Sequence, residues 1–294
     1  MQRLVESISG RLLSALAVAL ACLPRLLAYW LGAKMGDLAY LCLARRRRIA
    51  LDNLEIAFGG EKSAAERRVI ARAMFRNLGE HLIDFSRMRW LTPDRFLSEV
   101  TVEGLERVEQ LLARQTGLLM LSAHFGSWEL ASAIALLLEP RMHVIARPLD
   151  NPALHRLVEA YRSYGGCHFI PKSRALPASL RALRGGEIVA LLMDQSSLRS
   201  EGIPVPFFGT DAYTSIGPAL MALRSGCPVI GVFSVRQGHG KHRLVFSEEI
   251  QIQRSGNLRQ DIVDNTGRFN QLIESYVRAY PDHWFWLHRR WKKR

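Results

Sequence analysis

A histidine and a glutamate interrupt the apolar stretch LLMLSAHFGSWELASAIALLL, which covers residues 118–138. His124 directly follows a strand-like run, and Glu129 comes five residues later, in the expected first turn of a helix. The FGSW turn between them can fold the carboxylate back towards the imidazole, so that one ring nitrogen stays protonated and the other is free as a base. We therefore predict that His124 is a general base and that Glu129 orients it. The alternatives are a loop histidine and a carboxylate that only stabilises the helix start.

Three sources are conceivable for the proton that such a base takes. A serine nucleophile would come with a G-x-S-x-G pattern, which is absent, and Ser127 lacks the expected glycine framing. A metal-bound water would need a ligand set, but no H-E-x-x-H occurs, and HGKH, with His239 and His242, is more typical of a surface turn between strands. The remaining source is a substrate hydroxyl that attacks an acyl thioester without a covalent enzyme intermediate. We predict neither a metal nor a cofactor.

Strand-like and helix-like runs alternate from Pro93 onwards, and these elements must position the base. Strands are predicted at Val100–Val102, Gly117–Ala123, His143–Ala146, Cys167–Ile170, Ile188–Met193, Val229–Val235 and Arg243–Phe246. Helices are predicted at Trp128–Leu138, Pro152–Tyr164, Leu176–Arg184, Ile216–Arg224 and Asp261–Tyr280. Alternation of this kind is typical of crossover connections, and it predicts an α/β fold with a mostly parallel central sheet flanked by helices.

The carboxyl ends of parallel strands form the edge at which such folds bind substrates. His124 lies at this edge, as does Arg147, in ARPLD, and so do Asp194 and Gln195, which end EIVALLMDQ. Arg147, Asp194 and Gln195 are therefore candidates for contact with a substrate. An exposed loop arginine is the alternative for Arg147, and a structural hydrogen bond is the alternative for the buried aspartate.

Two later segments are further candidates for the same site. VPFFG contains Phe207, Phe208 and Gly209, for which packing in the core is the alternative. TSIGPAL is predicted to start a helix, with Thr214 as its cap and Pro218 in an early turn. A Thr214 hydroxyl that faces the substrate cleft is the second interpretation.

An apolar segment and a helical segment precede the α/β region. Leu12–Leu31 is apolar except for Pro24 and Arg25, and its length is close to the roughly 20 residues that span a bilayer. We expect an uncleaved hydrophobic anchor helix, with a cleaved signal peptide and a buried helical hairpin as alternatives. Ser63 and Glu66 predict a capped helix start. The predicted domains are an anchor at residues 1–44, a helical membrane-proximal region at 45–92 and an α/β domain at 93–294.

Charge and cysteine content narrow the range of partners. Lysine and arginine outnumber aspartate and glutamate by 40 to 27, a net charge of +13, which favours acidic partners. Arg45–Arg48 lie just beyond the apolar segment, where the positive-inside bias would keep the next domain cytoplasmic and near anionic lipids. No nucleic-acid-binding motif accompanies the charge, so nucleic acid is not expected as a partner. The 4 cysteines are far apart and form no C-x-x-C pair, which indicates neither a disulfide framework nor zinc.

An ordered series of segments around these residues resembles a known family. HFGSWE matches the H-x4-D/E pattern of glycerolipid-type acyltransferases, and the surrounding sequence is similar to the late acyltransferases of bacterial lipid A biosynthesis. The resemblance extends over nearly the whole chain and includes VEGLE, LSAHFGSWELA, ARPLDNPALHRLVEAYRSYGG, LLMDQS, GIPVPFFGTDAYTSIGPALMALRSGCPVIGVF and WFWLHRRWK.

This resemblance implies a membrane-associated O-acyltransferase that moves a fatty acyl group from acyl carrier protein to a hydroxyl of a lipid A precursor. The reaction would take place on the cytoplasmic face of the bacterial inner membrane. By the same resemblance His124 and Glu129 are catalytic, and Phe207 and Phe208 lie near the acyl or acceptor site. The position of Arg147 after a strand, at the same edge as His124, predicts that it holds phosphate or the thioester region. Carrier protein and lipid A precursors are both acidic, which agrees with the basic chain.

Two departures from the family pattern bear on the acceptor. Ser127 stands where the turn often has asparagine, and Ser196 and Ser197 stand where an acidic residue often follows the aspartate. Two alternatives therefore stay open. One is an acyltransferase for another lipid, such as a lysophospholipid, an ornithine lipid or a mannosylated inositol lipid, and the other is a non-catalytic lipid-binding protein that keeps the fold.

Overall fold

The structure is a computed structural model that describes residues 14–147, 149 and 151–291, so residues 1–13 of the predicted anchor lie outside it. The strands within these residues are β1 (Val100–Glu103), β2 (Leu118–Ser122), β3 (Met142–Ala146), β4 (His168–Pro171), β5 (Ile188–Leu192), β6 (Gly202–Phe207), β7 (Thr210–Ser215), β8 (Val229–Gly238) and β9 (Lys241–Phe246). One sheet has the spatial order β1–β9–β8–β2–β5–β3–β4, and β6 and β7 form a separate hairpin. Neighbours in the large sheet are parallel except β8 and β9. The predicted α/β fold with a mostly parallel sheet is confirmed.

Helices cover both faces of the sheet and build the N-terminal region. Their bounds are α1 (Arg25–Cys42), α2 (Ala44–Phe58), α3 (Ala64–Arg87), α4 (Pro93–Glu99), α5 (Leu105–Leu112), α6 (Trp128–Ser132), α7 (Pro152–Ser163), α8 (Ala175–Arg184), α9 (Gly217–Ser225) and α10 (Leu258–Ala279). Short 3-10 turns occupy Met88–Trp90, Ala133–Leu136 and Lys172–Arg174, and residues 14–22 are helical. The capped start predicted from Ser63 and Glu66 is confirmed, because the two side chains form a reciprocal capping box at the start of α3.

The apolar run of β2 reflects burial on both faces of the sheet. Leu119 and Leu121 pack in one core with residues of α2, α3, α8, α9 and α10. Leu118 and Met120 point to the opposite face and pack in a second core with residues of α4, α5 and α6. A parallel strand with helices on both sides needs apolar residues at every position, which is why its sequence does not alternate.

Glycines bring α1 and α3 into close contact. A Cβ atom at Gly36 would lie 2.2 Å from the carbonyl oxygen of Phe75, and one at Gly79 would lie 2.0 Å from the carbonyl oxygen of Gly32. Both neighbours are backbone atoms, so no side-chain movement relieves such a clash. The N-terminal helices therefore pack against each other over their backbones.

One face of α1 is apolar and exposed. Leu26, Trp30, Leu38 and Leu41 recur at helical spacing and are 68%, 55%, 60% and 68% exposed. Lys34 lies on the same face, between Trp30 and Leu38. Among the described residues no helix has the length and apolar character needed to cross a bilayer.

Three details differ from the sequence-based expectations. The helix predicted over Trp128–Leu138 ends at Ser132 and continues as a 3-10 turn. The β6–β7 hairpin was not predicted. Thr214 does not cap a helix, because it belongs to β7, and α9 begins at Gly217 after Ile216 with no side-chain cap. Pro218 does lie in the first turn of α9, as expected.

Candidate active site

The register of two central strands brings His124 and Asp194 together. β2 and β5 are parallel neighbours, and Ser122 pairs with Leu192 at their carboxyl ends. His124 and Asp194 each lie two residues beyond this pair, so the two side chains leave the sheet at the same level. Nδ1 of His124 is 2.8 Å from Oδ1 of Asp194. The predicted edge of the sheet therefore holds a histidine–carboxylate pair.

Asp194 is an ionised carboxylate inside the protein. Burial by itself would raise its pKa, but the charge of His124 and the hydrogen bonds from His124 and Trp284 hold the pKa below its usual value. The indole Nε1–H of Trp284 donates to Oδ2 at 2.8 Å. Because the carboxylate accepts from Nδ1–H, it favours the tautomer in which Nε2 of His124 carries the lone pair.

The other ring nitrogen of His124 faces Gln195. Nε2 of Gln195 is 3.3 Å from Nε2 of His124, and the His124 side chain is 24% exposed. A second histidine–aspartate pair, His242 with Asp84, is fully buried, with both side chains 0% exposed. Exposure decides between the two pairs, since only a ring that a substrate reaches can act as its base. The Gln195 amide thus lies next to the ring nitrogen that is not bonded to Asp194.

Glu129 makes a different contact from the one expected. Both of its carboxylate oxygens accept from Arg162, at 2.7 Å from Nε and 2.5 Å from Nη2. Burial would raise the pKa of Glu129, but these hydrogen bonds and the charge of Arg162 lower it, with smaller effects from His81 and His124. The prediction that Glu129 orients the imidazole is thus corrected, because the carboxylate that accepts the hydrogen bond from Nδ1 is that of Asp194. The carboxylate of Glu129 is bonded to Arg162 instead.

Aromatic rings pack around the turn that carries His124. The rings of His81 and Trp128 stack with centroids 3.8 Å apart, and Trp128 meets His124 edge-on at 5.4 Å. Nδ1 of His81 is 3.4 Å from Oγ of the buried Ser127. Burial lowers the pKa of His81 to about 4, so this second histidine is neutral at physiological pH. The turn is therefore fixed from the side of α3.

The remaining candidates from the sequence have separate locations. Arg147 follows β3, the strand next to β5, and reaches the same edge of the sheet as His124. Phe207 and Phe208 are 1% and 6% exposed and belong to the core, as one of the two sequence interpretations held. Gly209 borders an open cleft of about 400 Å³ on α10, together with Glu274 and Arg278. The described hydrogen bonds and ring contacts of the His124 side chain are with Asp194, Gln195, Trp128 and Phe285, and none is with Phe207, Phe208 or Gly209.

Thr214 is part of a buried polar cluster. Its hydroxyl accepts from Nη2 of Arg290 at 2.5 Å and from Nδ2 of Asn270 at 3.2 Å. Arg290 is 1% exposed, and burial lowers its pKa to about 10. Thr214 is 0% exposed. Its hydroxyl therefore holds the β6–β7 hairpin to the C-terminal part of the chain.

Residues 281–291, which we call the C-terminal strap, pack against the turn that carries His124. The backbone N–H of Phe285 donates to the carbonyl of His124 at 2.9 Å, and that of Gly126 donates to the carbonyl of His283 at 2.8 Å. Asn53 of α2 donates to the carbonyl groups of Trp286 and His288, each at 2.7 Å. The strap therefore connects the N-terminal helices to the turn that carries His124.

Sequence reasoning missed Arg162, Trp284 and His81. Arg162 and Trp284 lie in two of the segments that carried the family resemblance, AYRSYGG and WFWLHRRWK, so a signal for both was present. His81 had no such signal, because a single histidine in a helical pattern does not reveal an aromatic partner. Their roles depend on contacts between distant parts of the chain.

The arrangement is suited to taking a proton from a hydroxyl. A carboxylate fixes one nitrogen of an accessible imidazole, and the other nitrogen is left as the base. Among the residues that the structure describes, no cluster of three His, Cys, Asp or Glu side chains has the geometry to hold a metal ion.

Known proteins of one kind are similar to this chain. A sequence model of a family described as bacterial lipid A biosynthesis acyltransferase matches residues 5–293. The lipid A biosynthesis lauroyltransferase of Escherichia coli (strain K12) is 30% identical over 92% of this chain and 87% of its own length. The palmitoleoyltransferase of lipid A biosynthesis in the same organism is 29% identical over the same shares, 92% and 87%. A phosphatidylinositol mannoside acyltransferase of Mycobacterium tuberculosis (strain CDC 1551 / Oshkosh) is 24% identical over 65% of this chain and 59% of its own length.

Proposed function

Because the chain belongs to the bacterial lipid A biosynthesis acyltransferase family and is an acyltransferase, we propose that it acylates a hydroxyl group of a lipid A precursor. The donor in this proposal is a fatty acyl thioester on acyl carrier protein. The observation that carries it is the 2.8 Å hydrogen bond between Asp194 and Nδ1 of His124, on a ring that is 24% exposed. A base held in this way is what direct transfer between a hydroxyl and a thioester requires.

The reaction needs one base and no covalent intermediate on the protein. Nε2 of His124 takes the proton of the acceptor hydroxyl as its oxygen attacks the thioester carbonyl. The tetrahedral intermediate then expels the thiolate, the carbon–sulfur bond breaks, and the imidazolium returns the proton to the sulfur. Asp194 stabilises the imidazolium while it exists. Before attack, the acceptor displaces the Gln195 amide, which lies 3.3 Å from Nε2.

Charged residues near His124 receive supporting roles in this proposal. Glu129 adds negative charge that favours the imidazolium, and its pairing with Arg162 holds α6 against α7. We assign Arg147 to the oxyanion of the intermediate or to a phosphate of the acceptor, since its guanidinium has the geometry to bind either. Gln195 would contact the acceptor after it has moved.

We further propose that the chain binds the cytoplasmic face of the inner membrane through α1. The support is the exposed apolar face of α1 together with the exposed Arg45, Arg46 and Arg48 at the start of α2. An apolar face flanked by cations suits an anionic bilayer surface. In sedimentation with vesicles that contain anionic phospholipid, Leu38→Glu should bind at least tenfold more weakly than the native chain, because a buried leucine contributes about 2 kcal/mol. Equal binding of the two would refute this part of the proposal.

A second acceptor class has support from one comparison. The mycobacterial relative is named for acylation of a phosphatidylinositol mannoside. Ser127, Ser196 and Ser197 also depart from the pattern that we associate with the lipid A branch. A mannosylated inositol lipid is therefore the second candidate for the acceptor.

Transfer assays with a panel of acceptors test the proposal. Purified native protein and His124→Ala would receive radiolabelled acyl carrier protein thioester and, separately, a lipid A precursor, a lysophospholipid and a mannosylated inositol lipid. We expect transfer to the lipid A precursor and its loss in His124→Ala. Transfer only to another lipid would replace the acceptor but keep the base.

A second set of outcomes tests the base itself. Activity that survives in His124→Ala would remove the mechanism. No transfer by a folded native protein to any acceptor would favour the non-catalytic alternative. His155→Ala is a suitable control, because this half-exposed histidine on α7 pairs with Glu159 of the same helix turn.

A further inference from the structure

The indole of Trp284 completes the hydrogen bonding of the Asp194 carboxylate. Nε1–H of Trp284 donates to Oδ2 at 2.8 Å, and Nδ1–H of His124 donates to Oδ1 at 2.8 Å. The Asp194 side chain is 2% exposed, so water does not replace either donor. A buried carboxylate oxygen without a donor is strongly disfavoured, and the carboxylate would turn to find another partner.

Trp284 is itself fixed relative to His124. Its backbone forms an antiparallel bridge with Phe125, the residue after His124, and the next residue of the strap donates to the His124 carbonyl at 2.9 Å. Its ring packs edge-on against Phe207 at 5.4 Å and against Trp286 at 4.5 Å. The indole N–H thus has a defined position with respect to the backbone that carries the base.

We propose that Trp284 is a positioning residue for acyl transfer, one that sets the orientation of Asp194 and thereby the tautomer and direction of the His124 ring. The inference rests on the proposed function, because it assigns Trp284 to the same base. His124 and the indole that holds Asp194 then belong to one paired stretch of backbone, in which residues 124–125 are bonded to residues 284–285. The same backbone pairing therefore fixes both partners of the His124–Asp194 hydrogen bond. The backbone N–H of His124 also donates to the carboxylate, so the indole is the one of its three donors that does not come from His124. Without the indole N–H, the carboxylate loses this anchor and the ring loses its preferred direction.

Trp286 provides a matched control within the same cluster. It is the same residue type, is 0% exposed where Trp284 is 2% exposed, and donates its own indole N–H to the carbonyl of Pro281 at 2.6 Å. Trp286→Phe therefore removes a buried indole hydrogen bond without touching Asp194. Any effect of Trp284→Phe that Trp286→Phe lacks comes from the contact with the carboxylate.

Steady-state kinetics of the two variants form the first test. We expect Trp284→Phe to lower kcat for acyl transfer about tenfold or more, with KM for donor and acceptor changed less than twofold, because hydrogen bonds to charged groups are the stronger ones. Trp286→Phe should keep kcat within about threefold. Thermal unfolding of both variants shows whether their stabilities differ. Equal losses of kcat in the two variants would overturn the proposal.

Titration of His124, followed by NMR of its imidazole, is the second test and needs no substrate. With the indole N–H removed, the Asp194 carboxylate turns away from Nδ1 and stabilises the imidazolium less, so the midpoint of the His124 titration should fall in Trp284→Phe and stay in place in Trp286→Phe. The other charged or titratable groups near the pair are the same in both variants: Glu129 on α6, Arg162 on α7, His81 on α3 and Arg290 in the strap. An unshifted midpoint in Trp284→Phe would contradict the proposal.

The two tests separate this inference from the proposed function. A native protein that transfers acyl groups to no acceptor defeats the proposed function, and the titration still decides the contact between Trp284 and Asp194. If Trp284→Phe does not fold, Trp284→3-benzothienylalanine keeps the shape of the indole and replaces N–H by sulfur. That variant should show the same loss of kcat and the same fall of the midpoint, and full activity in it would refute the role of the N–H.

Discussion

Two carboxylates lie near His124 at the scale of single residues, and they act on it in different ways. Asp194 is hydrogen-bonded to Nδ1, whereas both oxygens of Glu129 are bonded to Arg162. A bonded carboxylate selects the tautomer and direction of the ring, while a carboxylate that is only nearby contributes charge, which weakens with distance and screening. Replacing each one should therefore change a different property.

We predict that Asp194→Asn mainly reduces turnover and that Glu129→Gln mainly reduces stability. Asparagine at 194 no longer stabilises the imidazolium, so kcat should fall by about 10² to 10⁴. Glutamine at 129 leaves Arg162 half-buried without its counter-charge, and the free energy of unfolding should fall by about 3 kcal/mol. Steady-state kinetics and denaturant unfolding of both variants check the two effects.

An exposed glutamate supplies the control for this pair. Glu159 lies on α7 like Arg162 but its side chain is 47% exposed, so Glu159→Gln should leave both kcat and stability nearly unchanged. Retention of full kcat in Asp194→Asn would show that the base works without its hydrogen-bonded carboxylate.

At the scale of elements, the positions of the strands that carry the site could be predicted from the sequence, but the order of these strands in the sheet could not. β2 and β5 are recognisable because burial on both faces demands continuous apolar residues. That β5 lies beside β2 depends on the path of the crossover helices, which a single sequence does not reveal. Glu129 was therefore assigned to His124 by proximity in sequence, when the partner in space is Asp194.

The β6–β7 hairpin was missed for a local reason. β6 contains Pro204 and Pro206, and proline argues against a strand because it has no N–H for the ladder. A two-stranded sheet leaves one edge of each strand unpaired, so prolines are tolerated there. The turn adds to the difficulty, because Phe208 adopts a positive φ of 52° before Gly209 at 68°. A phenylalanine in this conformation is not a usual turn signal.

The contact between α1 and α3 leads to a prediction about glycine. Gly36→Ala should lower the free energy of unfolding by several kcal/mol, because the new Cβ would lie 2.2 Å from a carbonyl oxygen of α3 that cannot move independently. Gly267→Ala is the matched control, since this glycine lies within α10 and has no atom within 4 Å of its Cβ position. It should raise stability by about 0.5–1 kcal/mol.

Chemical denaturation of the two alanine variants measures the difference. The changes in the free energy of unfolding should have opposite signs in the two variants. This result would show that tight packing against α3, and not helix propensity, requires glycine at this position of α1. Equal small effects would mean that α1 moves away from α3 at little cost.

For the molecule as a whole, His81 links stability to pH. Its pKa is about 4 in the folded state and near 6.5 when exposed, so the unfolded chain binds the proton more readily. The stability that comes from neutral His81 is complete above pH 6.5 and is lost as the pH falls towards 4. In this window the free energy of unfolding should decrease by up to about 1.4 kcal/mol per pH unit through this residue.

We predict that His81→Gln flattens this acid-side dependence. Glutamine has no proton to gain, so the free energy of unfolding of the variant should vary less between pH 6.5 and 4 than that of the native chain, whatever its absolute value. Urea unfolding at a series of pH values gives the slope. Parallel curves for the two proteins would mean that other groups control acid stability.

The position of the strap along the chain has a consequence for biosynthesis. Residues 281–291 leave the ribosome after α10 and after every strand of the sheet. Trp284 and Trp286 are among the largest fully buried side chains, so a nascent chain that ends before the strap lacks part of its core as well as the indole donor to Asp194. The site is complete only after the strap has been synthesised and has docked, so acyl-transfer activity should begin at that point.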